Sequence, residues 1–333
     1  MILNLNGVPS KRPPKGGEVS FWHVSLHGWC MIQDDLAYDV EAACLGIHNE
    51  LPGAVFGDKS IYTQLLPTMP QLVYLGGLNS ESQMSCKAFE RALSELVRLP
   101  YLNHFLYLND VARLVSAIQL CDVEIGRMLG EFYRNLNLEN HWPPPGVQLE
   151  DGVCWTSSAS VTSLISTMNF IFIRMHSLLD YLTKLFHEIE HLATDFTVYP
   201  RLSSSKVLFG ARKKLTVNGT VGTLFESCGL IDEVELVRNM VIHDGFLDDV
   251  PKLYVASRDG AIVEKFLLMP DRVDGHLVKF KNRSLWYSGE DKINLRLPKL
   301  VLEFRARLIA TLGVAWGNLH EVAEARAAAV GER

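Results

Sequence analysis

The sequence predicts a mainly α-helical protein with one small β element set into its C-terminal half. Three observations carry that expectation. Apolar residues recur at spacings of three and four over most of the chain, the signature of amphipathic helices. Only residues 252–288 switch to a period of two, and an Asp-Gly pair sits inside the first alternation, where a tight hairpin turn is expected. The third is Trp142-Pro143-Pro144-Pro145-Gly146, whose three consecutive prolines lack backbone donors and forbid helix and strand alike. Together these divide the chain into an arm (1–20), a helical N-terminal region (21–145) and a helical C-terminal domain (150–333) with its β insertion at about 252–288.

Each element follows from local pattern. Residues 1–20 are rich in Pro, Gly and Lys and read as a flexible arm. Helices are expected at Leu36–Asn49 and at Ser80–Arg98, the latter with Phe89, Leu93, Leu96 and Val97 on one side. Another runs over Asp110–Leu136, carrying Val111, Leu114, Val115, Ile118, Val123, Ile125 and Leu129. Thr156-Ser157-Ser158 offers N-cap hydroxyls to a long helix reaching about Ala193. Its stripe is Leu164, Met168, Ile171, Met175, Leu178, Leu182, Leu185 and Ile189. A loop over Asp195–Lys206 contains Pro200 and three serines, and shorter helices are expected at Lys206–Leu215 and Val221–Cys228. Residues 231–243 form a helix that Gly245 would close. Lys252–Ala256 and Ala261–Leu268 then flank Arg258-Asp259-Gly260 as a hairpin, His276–Lys281 and Ser284–Tyr287 add strands, and a last helix spans Leu297–Ala325.

Composition narrows the function classes. With 333 residues, 48% hydrophobic and 21% charged, the chain has the make-up of an ordinary folded protein. Its start carries no secretory signal pattern, and no apolar run approaches the roughly 20 residues that span a bilayer, so a cytoplasmic protein without membrane partners is expected. Six scattered cysteines without a CxxC pair read as free thiols in a reducing compartment rather than metal ligands. A net charge of −6 argues against non-specific coating of nucleic acid. Two local basic runs remain, Lys206/Arg212/Lys213/Lys214 and Lys279/Lys281/Arg283, each a phosphate-contacting surface or simply a solvated face.

Two motifs carry chemistry. His187-Glu188-Ile189-Glu190-His191 satisfies HExxH, in which histidines four apart reach one zinc and the glutamate activates its water. No Gly-x-x-His follows to supply a third ligand, and Glu226, Glu233 or Glu235 would serve only by assumption. The second lies in Glu235–Gly245. Arg238, Asn239 and His243 share about one and a half turns of an otherwise apolar helix, with Asn239 and His243 on one face. A histidine moves protons near neutral pH and a guanidinium forks onto phosphate oxygens, which is what phosphodiester cleavage needs. Arg134 and His141 satisfy a looser version of the same spacing, but Asn137, Glu139 and Asn140 spoil the apolar face and the pair reads as a fraying helix end.

The run Arg238-Asn239-Met240-Val241-Ile242-His243, with Asp244-Gly245 after it, resembles the signature of the HEPN superfamily (higher eukaryotes and prokaryotes nucleotide-binding domains). The resemblance covers about residues 155–250 and the last helix, leaves the strands as an insertion, and does not reach residues 1–145. It implies a helical bundle in which Met168–Ala193 is the early helix, with Asp180 set in its stripe; an acid is costly to bury unpaired, and Arg238 is the attractive partner. It implies a cofactor-free, metal-independent endoribonuclease of a toxin or antiviral defence system, built as a homodimer across the motif helix. His243 would be general base or acid, Arg238 would steady the phosphorane, and Asn239 would orient either one. Arg212, Lys213, Lys214 and Lys281 would guide the RNA strand. The family also includes members that bind only nucleotides or a regulatory protein partner, so a non-catalytic helical module is the alternative beside a zinc hydrolase at His187 and His191.

Overall fold

The longest apolar stripes of the sequence become the longest helices. The computed structural model describes residues 1–13, 19–32, 34–70, 73, 84–141, 150–244, 250–274, 276–277 and 286–331, and among them the protein is mainly helical with small sheets. The α-helices are α1 (Asp35–Phe56), α2 (Lys59–Leu65), α3 (Cys86–Leu96), α4 (Leu102–Leu138), α5 (Ala159–Glu190), α6 (Gly229–Asn239) and α7 (Ile293–Gly331). Side-chain oxygens open several of them. Asp58 accepts from Ser60 N at 2.7 Å before α2, and Ser158 accepts from Val161 N at 3.3 Å before α5, as the hydroxyl run at 156–158 predicts. None of the described helices is long and apolar enough to cross a membrane.

The chain packs as two compact units that interleave in sequence. One comprises Met1–Ala37, Cys121–Ser177 and Ser227–Ala306; the other comprises Tyr38–Leu120, Leu178–Glu226 and Arg307–Arg333. A division near residue 145 is therefore not the division in space. Helices as long as α4, α5 and α7 outrun a single core, and each contributes residues to both units. The Pro-rich segment 142–149 lies outside the described residues.

The first unit holds the β structure. β1 (Leu3–Asn4), β2 (Ser20–Val24) and β3 (Gly28–Met31) form one antiparallel sheet. β4 (Gly152–Thr156), β5 (Leu253–Arg258) and β6 (Ala261–Phe266) form a second. β7 (Leu268–Pro270) pairs with β10 (Tyr287–Lys292), and β8 (Arg272–Val273) with β9 (His276–Leu277). The predicted hairpin is present: Asp259 and Gly260 both take positive φ, 52° and 72°, the conformation a two-residue turn of matching twist requires. Two expectations are corrected. The N-terminal arm is anchored, because Leu3 is fully buried and Asn4 N donates to Asn137 Oδ1 at 3.1 Å. Residues 20–31 are strands rather than helix, since Phe21 leaves the sheet to stack on Tyr133 with ring centroids 4.3 Å apart. Strand β4 ends at Thr156, just before the cap, over residues for which no element was expected.

Buried charge organises this unit. Arg305 Nε donates to Asp122 Oδ1 at 2.8 Å while its Nη1 pairs with Asp34, and Arg305 and Asp122 are almost wholly shielded from solvent. Room for that guanidinium exists only because residue 126 is glycine: a Cβ there would lie 2.8 Å from Arg305 Nη2. One turn on, a Cβ at Gly130 would stand 1.8 Å from the carbonyl oxygen of Trp29. Lys265, also buried, donates its ammonium to the carbonyls of Leu136 and Asn137 at the end of α4, at 3.0 and 3.1 Å.

The second unit packs around aromatic rings. Phe56, Tyr62, Tyr101, His104, Phe105 and Phe196 lie in mutual contact, with His104 stacked on Phe196 at 3.9 Å. Burial, and then the nearby Arg326 guanidinium, push the His104 imidazole down to about 4. Short 3₁₀ segments, Ser203–Lys206 and Phe209–Lys214, replace the helix expected at 206–215. The helix expected at 221–228 is a run of turns, because Gly219 and Gly222 sit at φ of 78° and 80°, and Glu226 accepts from Gly222 N at 2.8 Å. The predicted helix at Ser80–Arg98 is recorded from Cys86; residues 74–83 lie outside the described set.

Two stability predictions follow from these contacts. Gly130→Ala will lose at least about 2 kcal/mol in urea unfolding despite alanine's better helix propensity, because neighbouring backbone must move. Gly313→Ala, whose Cβ meets nothing within 4 Å, will be neutral or gain up to about 1 kcal/mol. The His104 contribution has a defined pH sign. With its folded value below that of the unfolded chain, the unfolded state takes up the extra proton, so stability is full above 6.5 and is lost as pH falls from 6.5 towards 4. His104→Phe will flatten the fall of Tm over that window, with His48 and His141, lowered by burial too, keeping a residual slope.

Candidate functional site

The motif helix α6 begins after Cys228, whose extended backbone (φ −150°, ψ 164°) breaks from the preceding turns. Leu230, Ile231, Val234 and Val237 are buried, which fixes the rotation of the helix against its own unit. Beyond Asn239 the α ladder gives way to a π turn over Met240–Asp244, in which N–H groups bond five residues back rather than four. The α-helix expected to run through residue 243 is corrected accordingly. In an unbroken α-helix Asn239 and His243 would share a face and Arg238 would stand off it. The π turn alters the rotation of His243 relative to Arg238 from that of an unbroken α-helix. Asn239 and His243 are exposed and Arg238 is half-buried. Arg238 Nη1 donates to Asn239 Oδ1 at 2.9 Å, so the amide holds the guanidinium in place. Gly245 lies outside the described residues.

A 410 Å³ cleft runs along the same helix. Asp232, Glu235, Leu236 and Asn239, at spacings of three and four, form one wall, with Glu233 and with Leu277 of β9 completing the lining. Glu233 is 2% exposed, and its Oε2 pairs with Arg272 and, at 3.2 Å, with Arg296. In the sequence Glu233 stood only among three glutamates that could be a zinc ligand by assumption. Its two arginines, 39 and 63 positions away, carried no local signal.

Asp180, the first basic run and the HEIEH segment belong to the other unit. Asp180 Oδ1 accepts from Phe209 N at 2.7 Å, opening the 3₁₀ segment Phe209–Lys214, while Arg238 spends its bond on Asn239; the expected Asp180–Arg238 pair is not among these bonds. Arg212 lies over the Phe209 ring, 3.9 Å from its centroid, and Lys213 and Lys214 are exposed. Asp180 thus supports the basic run itself. Lys279, Lys281 and Arg283 lie outside the described residues.

Burial separates the members of HEIEH. Glu188 is 1% exposed and accepts from Tyr107 Oη at 3.0 Å, Ser203 Oγ at 3.1 Å and Ser204 N at 2.6 Å. Rather than standing free to activate a metal-bound water, it ties the loop after α5 to α4. Beside it the Tyr107 hydroxyl is pushed well above the usual phenol range, first by burial and then by the Glu188 charge. Glu190 accepts from Thr216 N and Oγ1, and His187 stacks on His191 at 4.4 Å. Of the glutamates considered as a third ligand, Glu226 pairs with Arg307 at 2.7 Å and Glu233 with its arginines. Among the described residues no group of three or more His, Cys, Asp and Glu is placed to hold a metal ion. Arg134, paired with Glu131 and Glu139, and His141, buried between Ser160 and the Asn135 carbonyl, are structural.

Comparison with protein-family models, curated proteins and solved structures returns no match, so any functional reading rests on this chain's own residues. The Glu188 hub generates a direct prediction. Glu188→Ala will cost about 3 kcal/mol in urea unfolding by orphaning three donors, and the loss will be the same in EDTA and in added zinc, whereas His187→Ala will change stability by less than about 1 kcal/mol.

Proposed function

We propose that the protein is a metal-independent endoribonuclease of the HEPN type. What supports the reading is the motif on an accessible helix end: Arg238 is half-buried and donates to its neighbour Asn239, and His243 is exposed in the π turn that follows. Of the early helix expected at Met168–Ala193, the part up to Ser177 shares a unit with the motif helix and the part from Leu178 belongs to the other.

The chemistry follows from the groups present. His243 accepts the proton of an RNA 2′-hydroxyl as its oxygen attacks the adjacent phosphorus. The P–O5′ bond breaks, leaving a 2′,3′-cyclic phosphate and a 5′-hydroxyl, and a protonated imidazole supplies the leaving oxygen's proton. Arg238 offers its fork to the phosphorane oxygens as charge builds, and Asn239 keeps that fork aimed. One helix end supplies one histidine and one arginine, so a second copy is proposed to supply the other half of the site. RNA is the proposed substrate, with Arg212, Lys213 and Lys214 as strand contacts, and a toxin or antiviral role goes with the family reading.

Digestion of single-stranded RNA in EDTA tests this. The wild type is expected to cleave it to cyclic-phosphate ends; His243→Ala will lose about 10²–10⁴-fold and Arg238→Ala about 10²–10³-fold, with unchanged melting. Light scattering should give twice the chain mass. No cleavage by a folded wild type, or cleavage untouched by both substitutions, refutes the reading.

A further inference from the structure

Trp155, Tyr254 and Phe266 form one row across the β4–β5–β6 sheet. Trp155 pairs with Tyr254, and Tyr254 with Phe266, in the strand register, and residues paired across an antiparallel ladder project to the same side. Burial fixes which side that is. Leu253, Val255 and Ser257 of β5 point into the unit, so Tyr254, Ala256 and Arg258 point outward. The Tyr254 and Phe266 rings stack, 5.4 Å apart and 14° from parallel. Phe266 is itself buried, with Lys292 Nζ 4.2 Å from its centroid, so it backs Tyr254 from one side. On the other side stands Trp155, 55% exposed. An indole left more than half in water contributes little of its area to folding.

Charge is distributed unevenly about this row. Lys252, two residues before Tyr254, holds its ammonium 5.9 Å from the Trp155 ring centroid. The acids lie beyond the row in the other direction: Glu264, opposite Ala256 and paired with Lys292 at 2.6 Å, and Asp151, four residues before Trp155, at the end of the sheet where Arg258 is exposed. Exposed rings on neighbouring strands, with a cation at one end and the acids at the other, suit a ligand that has flat faces and a negative backbone.

We propose that this face is a stacking platform for unpaired bases of a single-stranded nucleic acid. Trp155 and Tyr254 each take one base, and Lys252 takes a phosphate beside them. Every base has a π face, so the platform carries little base preference, and a duplex, whose bases are already stacked on one another, does not fit it. The sheet belongs to the same unit as the Arg238/His243 helix. The ribonuclease reading makes the strand RNA and the platform a substrate-holding surface; that role rests on the reading, whereas the binding does not.

Fluorescence anisotropy of a labelled RNA octamer, single-stranded or annealed to its complement, titrated with the His243→Ala protein tests it. The single strand is expected to bind at least about tenfold more tightly than the duplex. Adding Trp155→Ala will weaken the single strand at least about fivefold with melting unchanged. Trp155→Phe, which keeps a flat ring, will stay within about threefold of the parent, while Trp155→Leu, which keeps only apolar bulk, will lose as much as alanine. Lys252→Gln will reduce the slope of log affinity against log salt by about 0.7, the share of one phosphate. Equal binding of single strand and duplex, no binding at about 0.1 mM protein, or full affinity in the Trp155→Ala and Trp155→Leu variants overturns the platform. So does a halving of molecular mass by Trp155→Ala, because the face would then cover a second copy of the chain. Ring-dependent binding without RNA cleavage by the wild type leaves the platform standing and refutes the ribonuclease; cleavage with binding indifferent to Trp155 does the reverse.

Discussion

Long helices that end inside a protein must find partners for their last carbonyls, and this requirement organises both units. The four terminal carbonyls of an α-helix have no partner of their own. Lys265, on a strand, reaches the end of α4 in one unit. Arg326 does the equivalent in the other, donating to Ala54 O near the end of α1 and to Leu192 O and Ala193 O just beyond α5. Each cation is lowered by burial, so its charge is held by carbonyl dipoles rather than by a carboxylate. The β element and the last helix are thereby tied to helices that precede them by 128 to 272 residues.

The same logic extends to the acids. Glu188 in one unit and Asp122 in the other are buried because each has donors arranged around it, and neither faces a site of its own making. Buried ionisable groups in this protein are mostly fasteners. Glu233, paired with Arg272 and Arg296, is such a fastener too, although it also lines a cleft.

Much of the fold is legible in the sequence because period is a local property. The stripe from Leu164 to Ile189 and the serine cap at Ser158 specify α5 almost to the residue, and Asp259-Gly260 specifies its turn. The strands at 20–31 were not legible, since five residues of partial alternation do not outweigh a helical prior, and their pairing is decided by Phe21 meeting a tyrosine 112 positions later. Interleaving of the units was hidden for the same reason. At the candidate site, the identities of Arg238, Asn239 and His243 could be read directly, but their relative facing could not, because a π turn has no reliable residue signature. Asp180 drew attention correctly as an acid within an apolar stripe, yet its partner is a backbone N–H, which no side-chain pattern announces.

The π turn has one more consequence. Helical register and sequence spacing are usually interchangeable, but here they part by one residue across Met240–Asp244. A helix carrying such an offset has two nearby ways to close its hydrogen bonds, one per register, and they present different side chains to solvent. A substitution that restored the α register would rotate His243 relative to Arg238 while leaving both residues unchanged, an angle that neither residue's identity encodes.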